Sequence, residues 1–368
     1  MKKKLNLLKY SMVVLLSINL ISCGCKNNFD DEFPDVFASS QTTSVSSKGD
    51  AADDPAIWYN KKDASKSTII ATDKQKGLGV YNLHGDLLSF KAVGKINNCD
   101  VQYQLNIGND QIDIIGGSNR TDNTVSIYRY NKQNSSVDSL ALLKIPSLSE
   151  EIYGFCFYKN PDTQEIFSIS IGKDGLLEQN LLYFDGQSIR YKNIRNYKFE
   201  NQCEGLVADH ENGTLFIGEE DFGIWKLNLR NRNSKKELVC DATIGKEIMA
   251  DVEGLSIYFA KNGEGYLLAS SQGNNSYAIF TRKSPHKYIG SFRIGEGKTI
   301  DGTCETDGID VINLNMGNEY PNGFFIAQDG ENKSNGKTNT QNFKLVPWED
   351  IALSIQPPLL IDNQHKGF

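Results

Sequence analysis

Seven carboxylates in this chain stand out by placement: Asp53, Glu204, Glu220, Asp251, Glu253, Asp301 and Asp307. Most belong to two short elements that recur at a spacing of roughly fifty residues. The first element pairs acids with an apolar residue or glycine: Asp53-Asp54-Pro55-Ala56-Ile57, Asp100-Val101, Glu151-Ile152-Tyr153-Gly154-Phe155, Glu204-Gly205-Leu206, Asp251-Val252-Glu253-Gly254-Leu255 and Asp307-Gly308-Ile309-Asp310-Val311. The second is a polar turn after an apolar run: Asp73-Lys74-Gln75-Lys76-Gly77, Ser118-Asn119-Arg120, Gly172-Lys173-Asp174-Gly175, Glu219-Glu220-Asp221, Ser271-Gln272-Gly273-Asn274 and Gln328-Asp329-Gly330-Glu331-Asn332. Carboxylates gathered at one place repel and raise one another's pKa values. A hard cation that takes several oxygens in loose geometry relieves this, and calcium is such a cation. Lys74, Arg120 and Lys173 occupy the polar turns of three successive copies, and Tyr153 sits beside the third acidic element. A cation site with bases at its rim suits a polyphosphate, which can bridge cations and offer its remaining oxygens to Arg and Lys.

Other phosphate chemistries lack their residues. The histidines are His84, His210, His286 and His365, and none follows an arginine in an Arg-His-Gly motif. No cysteine has an arginine six positions later, and there is no G-x-S-x-G elbow. Gly297-Lys298-Thr299 and Gly336-Lys337-Thr338 lack the earlier glycine of a phosphate-binding loop. Asp301-Gly302 and Asp307-Gly308 do not continue as an EF-hand. No C-x-x-C pair exists for zinc. Cys99, Cys156 and Cys203 lie beside apolar strand residues and read as buried thiols. The net charge is −7, and four of the lysines precede Cys23, so the chain beyond it is still more acidic. That sign excludes a nucleic-acid footprint.

The elements that must position these groups are strands. Apolar runs at 67–71, 111–115, 165–171, 214–217, 266–269 and 323–327 each precede a polar turn and a further run, which is hairpin punctuation. Six copies predict an all-β fold, a six-bladed β-propeller, in which equivalent positions face one axis. The propeller is expected over 48–352, closed by a strand from near residue 47 that covers the open edge. The tail 353–368 reads as dispensable from Gln356 on. Residues 1–22 have the basic and apolar parts of an export signal. Leu20-Ile21-Ser22-Cys23 is similar to a bacterial lipobox, which makes Cys23 the lipidation site. Residues 23–47 read as a polar linker. Together these predict an exported lipoprotein, anchored in the outer membrane by its lipid alone and facing the periplasm or the cell surface.

Asp50-Ala51-Ala52-Asp53-Asp54-Pro55-Ala56-Ile57-Trp58 resembles the opening motif of the β-propeller phytases, the alkaline, calcium-dependent phytases. Similar to the same family are Asn119-Arg120, Tyr153-Gly154-Phe155, Gly172-Lys173-Asp174-Gly175, Glu219-Glu220-Asp221, Asp251-Val252-Glu253-Gly254-Leu255 and 266–274. Residues 306–311 and 327–332 complete the set, so the resemblance spans about 48–352. It implies a monomeric enzyme that hydrolyses the phosphomonoesters of myo-inositol hexakisphosphate, bound as its calcium complex. Inorganic phosphate and lower inositol phosphates would leave after direct attack by a calcium-bound water, with one phosphate pocket for cleavage and one for affinity. By motif, Lys74, Arg120, Tyr153 and Lys173 would contact phosphate. Asp53, Glu204, Glu220, Asp251, Glu253, Asp301 and Asp307 would hold several Ca2+ ions. Lys74, Arg120, Lys173 and Glu204 would carry catalysis. Two departures are Asp174, where many relatives have Glu, and Gln75, where some have a second lysine. Read from the residues alone, a calcium-dependent propeller lactonase and a non-catalytic calcium-binding surface scaffold stay open beside this.

Overall fold

The computed structural model describes residues 33–365 except Ser139 and Asn335. Six antiparallel blades follow one another along the chain. Their innermost strands are Ala52–Trp58, Ile96–Ile107, Ile152–Lys159, Cys203–Asp209, Val252–Phe259 and Ile309–Ile312. Each touches the next, and the sixth returns to the first, so the ring is closed. Every inner strand pairs antiparallel with the strand that follows it. The start of each inner strand therefore lies beside the end of its neighbour, as Ala52 does opposite Asp73 and Cys203 opposite Glu219. This pairing carries the two recurring sequence elements to the same end of the channel.

The core is divided among the blade interfaces. The second strand of each blade is covered on both faces, so it reads as a continuous apolar run, and successive residues serve different interfaces. Ile69 packs between the sixth and first blades, whereas Ile70 packs between the first and second. Leu267 and Leu268 divide in the same way between the fourth–fifth and fifth–sixth interfaces. Cys99, Cys156, Cys203 and Cys240 are free and buried in these layers.

Closure departs from the expected domain plan. The polar stretch assigned as linker up to residue 47 joins the propeller well before it ends. Asp35–Val36 adds a parallel strand to the fifth blade, and Ser40–Gln41 pairs antiparallel with Asn342–Pro347 of the sixth. The pairing continues where the Thr42 and Val45 amides donate to the Phe343 and Gln341 carbonyls, both at 2.9 Å. An edge strand needs backbone partners more than an apolar period, so its polar composition concealed it. The signal segment and Cys23 lie outside the described residues. Among the described residues no helix is long and apolar enough to cross a membrane.

The tail is not the loose end the sequence suggested. After the helix Trp348–Ser354, Leu359 is buried, and the Trp348 indole donates to the Leu360 carbonyl at 3.0 Å. The Tyr266 and Tyr258 hydroxyls accept from the Leu360 and Asp362 amides at 2.7 and 2.9 Å. Tyr258 stacks on Trp348 with ring centroids 4.0 Å apart. Deleting 357–368 should therefore cost about 2–4 kcal/mol, from the buried Leu359 and these hydrogen bonds. Thermal melting checks this: a lowered midpoint is expected, and an unchanged one would restore the tail as dispensable.

Candidate active site

At the entrance of five inner strands the ladder slips register, between Ala52 and Pro55, Ile96 and Cys99, Ile152 and Gly154, Cys203 and Leu206, and Val252 and Leu255. Such bulges re-aim side chains. The residues carried at these slips form an inner ring of Asp53, Asn97, Tyr153, Glu204 and Glu253, with Asp307 in the matching place of the sixth blade. The glycine after Glu204, Glu253 and Asp307 is sterically required. A Cβ on Gly205 would collide with the Glu253 carbonyl of the next blade, and one on Gly308 would lie 2.5 Å from the Asp53 carbonyl. The Gly308 amide instead donates to that Asp53 oxygen at 2.9 Å, which closes the ring at the site itself.

A second ring comes from the turns: Lys74, Arg120, Lys173, Glu220 and Gln272. The two rings together are polarised. The second and third blades contribute Asn97, Tyr153, Arg120 and Lys173, none of them a carboxylate. The fourth, fifth and sixth contribute Glu204, Glu220, Glu253 and Asp307 beside Gln272, and Asp251 adds a further carboxylate at the same mouth. A cavity of about 580 Å³ opens here, lined by Lys74, Tyr153, Glu220, Asp251, Glu253 and Asp307 among others.

Glu204, Glu220 and Glu253 each offer a carboxylate oxygen within 4.8 Å of the others. Burial, followed by the charges of Asp53, Glu253 and Asp307, raises Glu204 well above the usual carboxylate range. Burial with Glu220 and Asp307 raises Glu253, and burial with Asp53 raises Asp307. Glu220 and Asp251 are also raised, in each case chiefly by burial. Glu253 Oε2 is buried with no hydrogen-bond partner. An orphaned buried carboxylate oxygen among raised carboxylates is what a hard-cation site leaves, and the all-oxygen donor set fits calcium. Lys74 Nζ lies 2.7, 2.8 and 3.0 Å from Asp50, Asp53 and Asp307. Burial opposes the charge on Lys74, but Asp53 and Asp307 outweigh it and raise its pKa.

On the basic side, Arg120 and Lys173 flank the Tyr153 ring at 5.8 and 4.8 Å from its centroid. Both reach Glu151 Oε1, at 2.6 and 3.3 Å. Burial and then the negative charges of Glu204, Asp53 and Glu253 hold the Tyr153 phenol protonated far above its usual range. Asp174 accepts from Lys198 at 2.8 Å rather than facing the cavity residues.

The structure brings Asp53, Glu204, Glu220, Asp251, Glu253, Asp307, Lys74, Arg120, Tyr153 and Lys173 to one mouth. Asp53, Glu204, Arg120 and Lys173 stand against the cavity-lining Lys74, Glu253 and Tyr153, whereas Asp301 is paired away from them. Buried Lys344 holds it at 2.5 Å, with Asp329 and Asn332 each 3.2 Å from the same ammonium. Asp100, read from the sequence as the second copy of the acidic element, lies three residues too deep. The slip between Ile96 and Cys99 gives its place to Asn97. Sequence reading also passed over Asp50, Glu151 and Gln272. The Gln272 amide donates to Asp307 Oδ1 at 2.9 Å. The signal for Gln272 was available, since it occupies the polar turn after its apolar run just as Lys74 does.

A family model described as Phytase matches residues 4–367. A 3-phytase of Bacillus subtilis (strain 168) is 42% identical over 354 residues, which covers 95% of this chain and 93% of that protein.

Deeper in the channel Asp100 and Asp310 line a further cavity of about 120 Å³. Burial raises Asp100 to about 7 and Asp310 to about 6. An unfolded Asp titrates near about 3.9. The native protein therefore holds more protons than the unfolded chain between about pH 4 and 7, and stability falls as pH rises through that window. Buried His210, lowered to about 4, acts in the opposite sense below about pH 6.5. Melting of wild type and Asp100→Asn across pH 4.5–8 in chelator should show a shallower decline for the variant. Parallel profiles would contradict the assignment.

Proposed function

The chain belongs to the phytase family and is a phytase, a phosphoric monoester hydrolase; on that premise we propose that the polarised mouth of its channel works as a calcium-dependent site on calcium phytate. One observation carries this reading. Tyr153, flanked by Arg120 and Lys173, lines one cavity together with Glu220, Asp251, Glu253 and Asp307, and buried Glu204 stands beside Glu220 and Glu253.

Asp53, Glu204, Glu220, Asp251, Glu253 and Asp307 would hold Ca2+. Asp301, matched by Lys344, is left out of this set. Bound calcium supplies positive charge and Lewis acidity, which lowers the pKa of water and stabilises a leaving oxygen. The chain's own residues do the rest. Lys173 and Arg120 bind the phosphoryl oxygens and offset the charge that builds as the group transfers. Tyr153, kept protonated by its surroundings, presents a phenol hydroxyl as a donor. Lys74 fixes the separation of Asp50, Asp53 and Asp307 and lends a further positive charge to the mouth. With no His, Cys or Ser in a nucleophile setting, the phosphoryl group passes directly to water and no phosphoenzyme forms. One phosphate of the substrate would sit in a pocket for cleavage and a second in a pocket for affinity, with the basic side taking their free oxygens.

The chain is proposed to act as a monomer with no nucleic-acid partner, exported and held to the outer membrane through a lipid on Cys23 alone. Replacing Cys23 by Ala should release the mature protein from the membrane fraction or leave an unprocessed precursor. Mature protein still bound to membrane would contradict the anchor.

Phosphate release from calcium phytate should be abolished by excess chelator and return with calcium. Lys173→Ala and Arg120→Ala should each raise the barrier by about 2–4 kcal/mol, mainly through kcat. Glu204→Ala should cost more, because it removes a carboxylate shared by the whole acidic side. With a chiral phosphorothioate substrate in oxygen-18 water, inversion at phosphorus is expected. Net retention would falsify direct transfer to water.

A further inference from the structure

Asn97 stands where the two halves of the site meet. It is fully buried, at 0% exposure, in the slip of the second inner strand. Its amide nitrogen donates to Glu204 Oε1 at 2.6 Å and to Asp53 Oδ2 at 3.1 Å. Its carbonyl oxygen accepts from Arg120 Nη1 at 3.0 Å. The other arm of the same guanidinium, Nη2, meets Glu151 Oε1 at 2.6 Å. Arg120 is thus braced on both edges, and the inner brace is itself fastened to the carboxylate cluster.

We propose that Asn97 is a positioning residue that sets Arg120 at a defined distance from the Asp53–Glu204 carboxylates, so that the phosphate-binding and cation-binding halves of the site keep register. The chemistry of the amide suits this place and no other short side chain does. It donates through nitrogen to two carboxylates and accepts through oxygen from a guanidinium, all at once. An aspartate of the same shape would still accept from Arg120. It would offer nothing to Asp53 and Glu204 and would add a third charge to a crowded group. An alanine would free both sides. The inference rests on the functional reading above, in which Arg120 binds phosphate and the carboxylates bind calcium.

The test is a double-mutant cycle of Asn97→Ala and Arg120→Ala on full-length protein, read as kcat/KM for calcium phytate. If Asn97 acts through Arg120, each single variant loses about tenfold or more, and the double variant is within about threefold of Arg120→Ala alone. A double variant that loses the product of the two single effects overturns the proposal, as does an Asn97→Ala enzyme within twofold of wild type. The volume-conserving Asn97→Asp variant gives a readout apart from turnover. In chelator at pH 8 it should melt below wild type, and added calcium should narrow the gap. A gap that calcium leaves unchanged also overturns the proposal. Wild-type activity that persists in chelator would sink the calcium reading instead, and the cycle with Arg120 would still be interpretable.

Discussion

Carboxylate crowding is the constraint on which the rest of this structure depends. Glu204 and Glu253 are buried within the reach of Glu220, Asp53 and Asp307, and burial and mutual repulsion raise their pKa values. A fold that gained nothing from this arrangement would not keep it, because uncompensated buried charge is costly. The compensations on hand are partial: Lys74 on Asp50, Asp53 and Asp307, Asn97 on Asp53 and Glu204, Gln272 on Asp307. They leave Glu253 Oε2 with no hydrogen-bond partner. The proposed cation binding would turn this cost into use.

Everything around the mouth serves to hold those groups in place. Register slips at the inner-strand entrances aim them at the axis, and the glycine that follows lets the next inner strand approach within hydrogen-bonding distance. The blade interfaces beneath are built mainly of apolar layers. Ring closure, through Ser40–Gln41 on the sixth blade and Gly308 on Asp53, keeps the two ends of the chain from parting beside the site. The asymmetry of the rings then follows from side-chain type alone. Blades with the same backbone carry Arg120 and Lys173 on one side and Glu204, Glu220 and Glu253 on the other.

Much of this was legible in the residues, for a physical reason. The two recurring elements are the two ends of one hairpin, so their spacing along the chain reports a contact in space. That is why Lys74, Arg120, Lys173 and Glu220 could be placed together from their turns. Asn97 was hidden because a register slip has no sequence signal of its own: Asp100 looked like the repeat acid, and the structure sets it three residues deeper. Closure by a segment before the first blade was expected near residue 47, but its start at Asp35–Val36 and Ser40–Gln41 and the docking of the tail were hidden, because backbone pairing and single buried residues such as Leu359 need no periodic pattern. Asp301 carried the right residue type but the wrong neighbour, since Lys344 lies more than forty positions away in sequence and next to it in space.

The central claim is that the acidic side is a crowd of buried carboxylates whose repulsion a bound cation relieves. Calorimetric titration of calcium into chelator-stripped protein at pH 7, in two buffers of different ionisation enthalpy, measures this directly. The account predicts calcium binding accompanied by net proton release, because a bound cation lowers the raised pKa values of the crowded carboxylates. Calcium binding with no proton release, or no calcium binding at all, would contradict it.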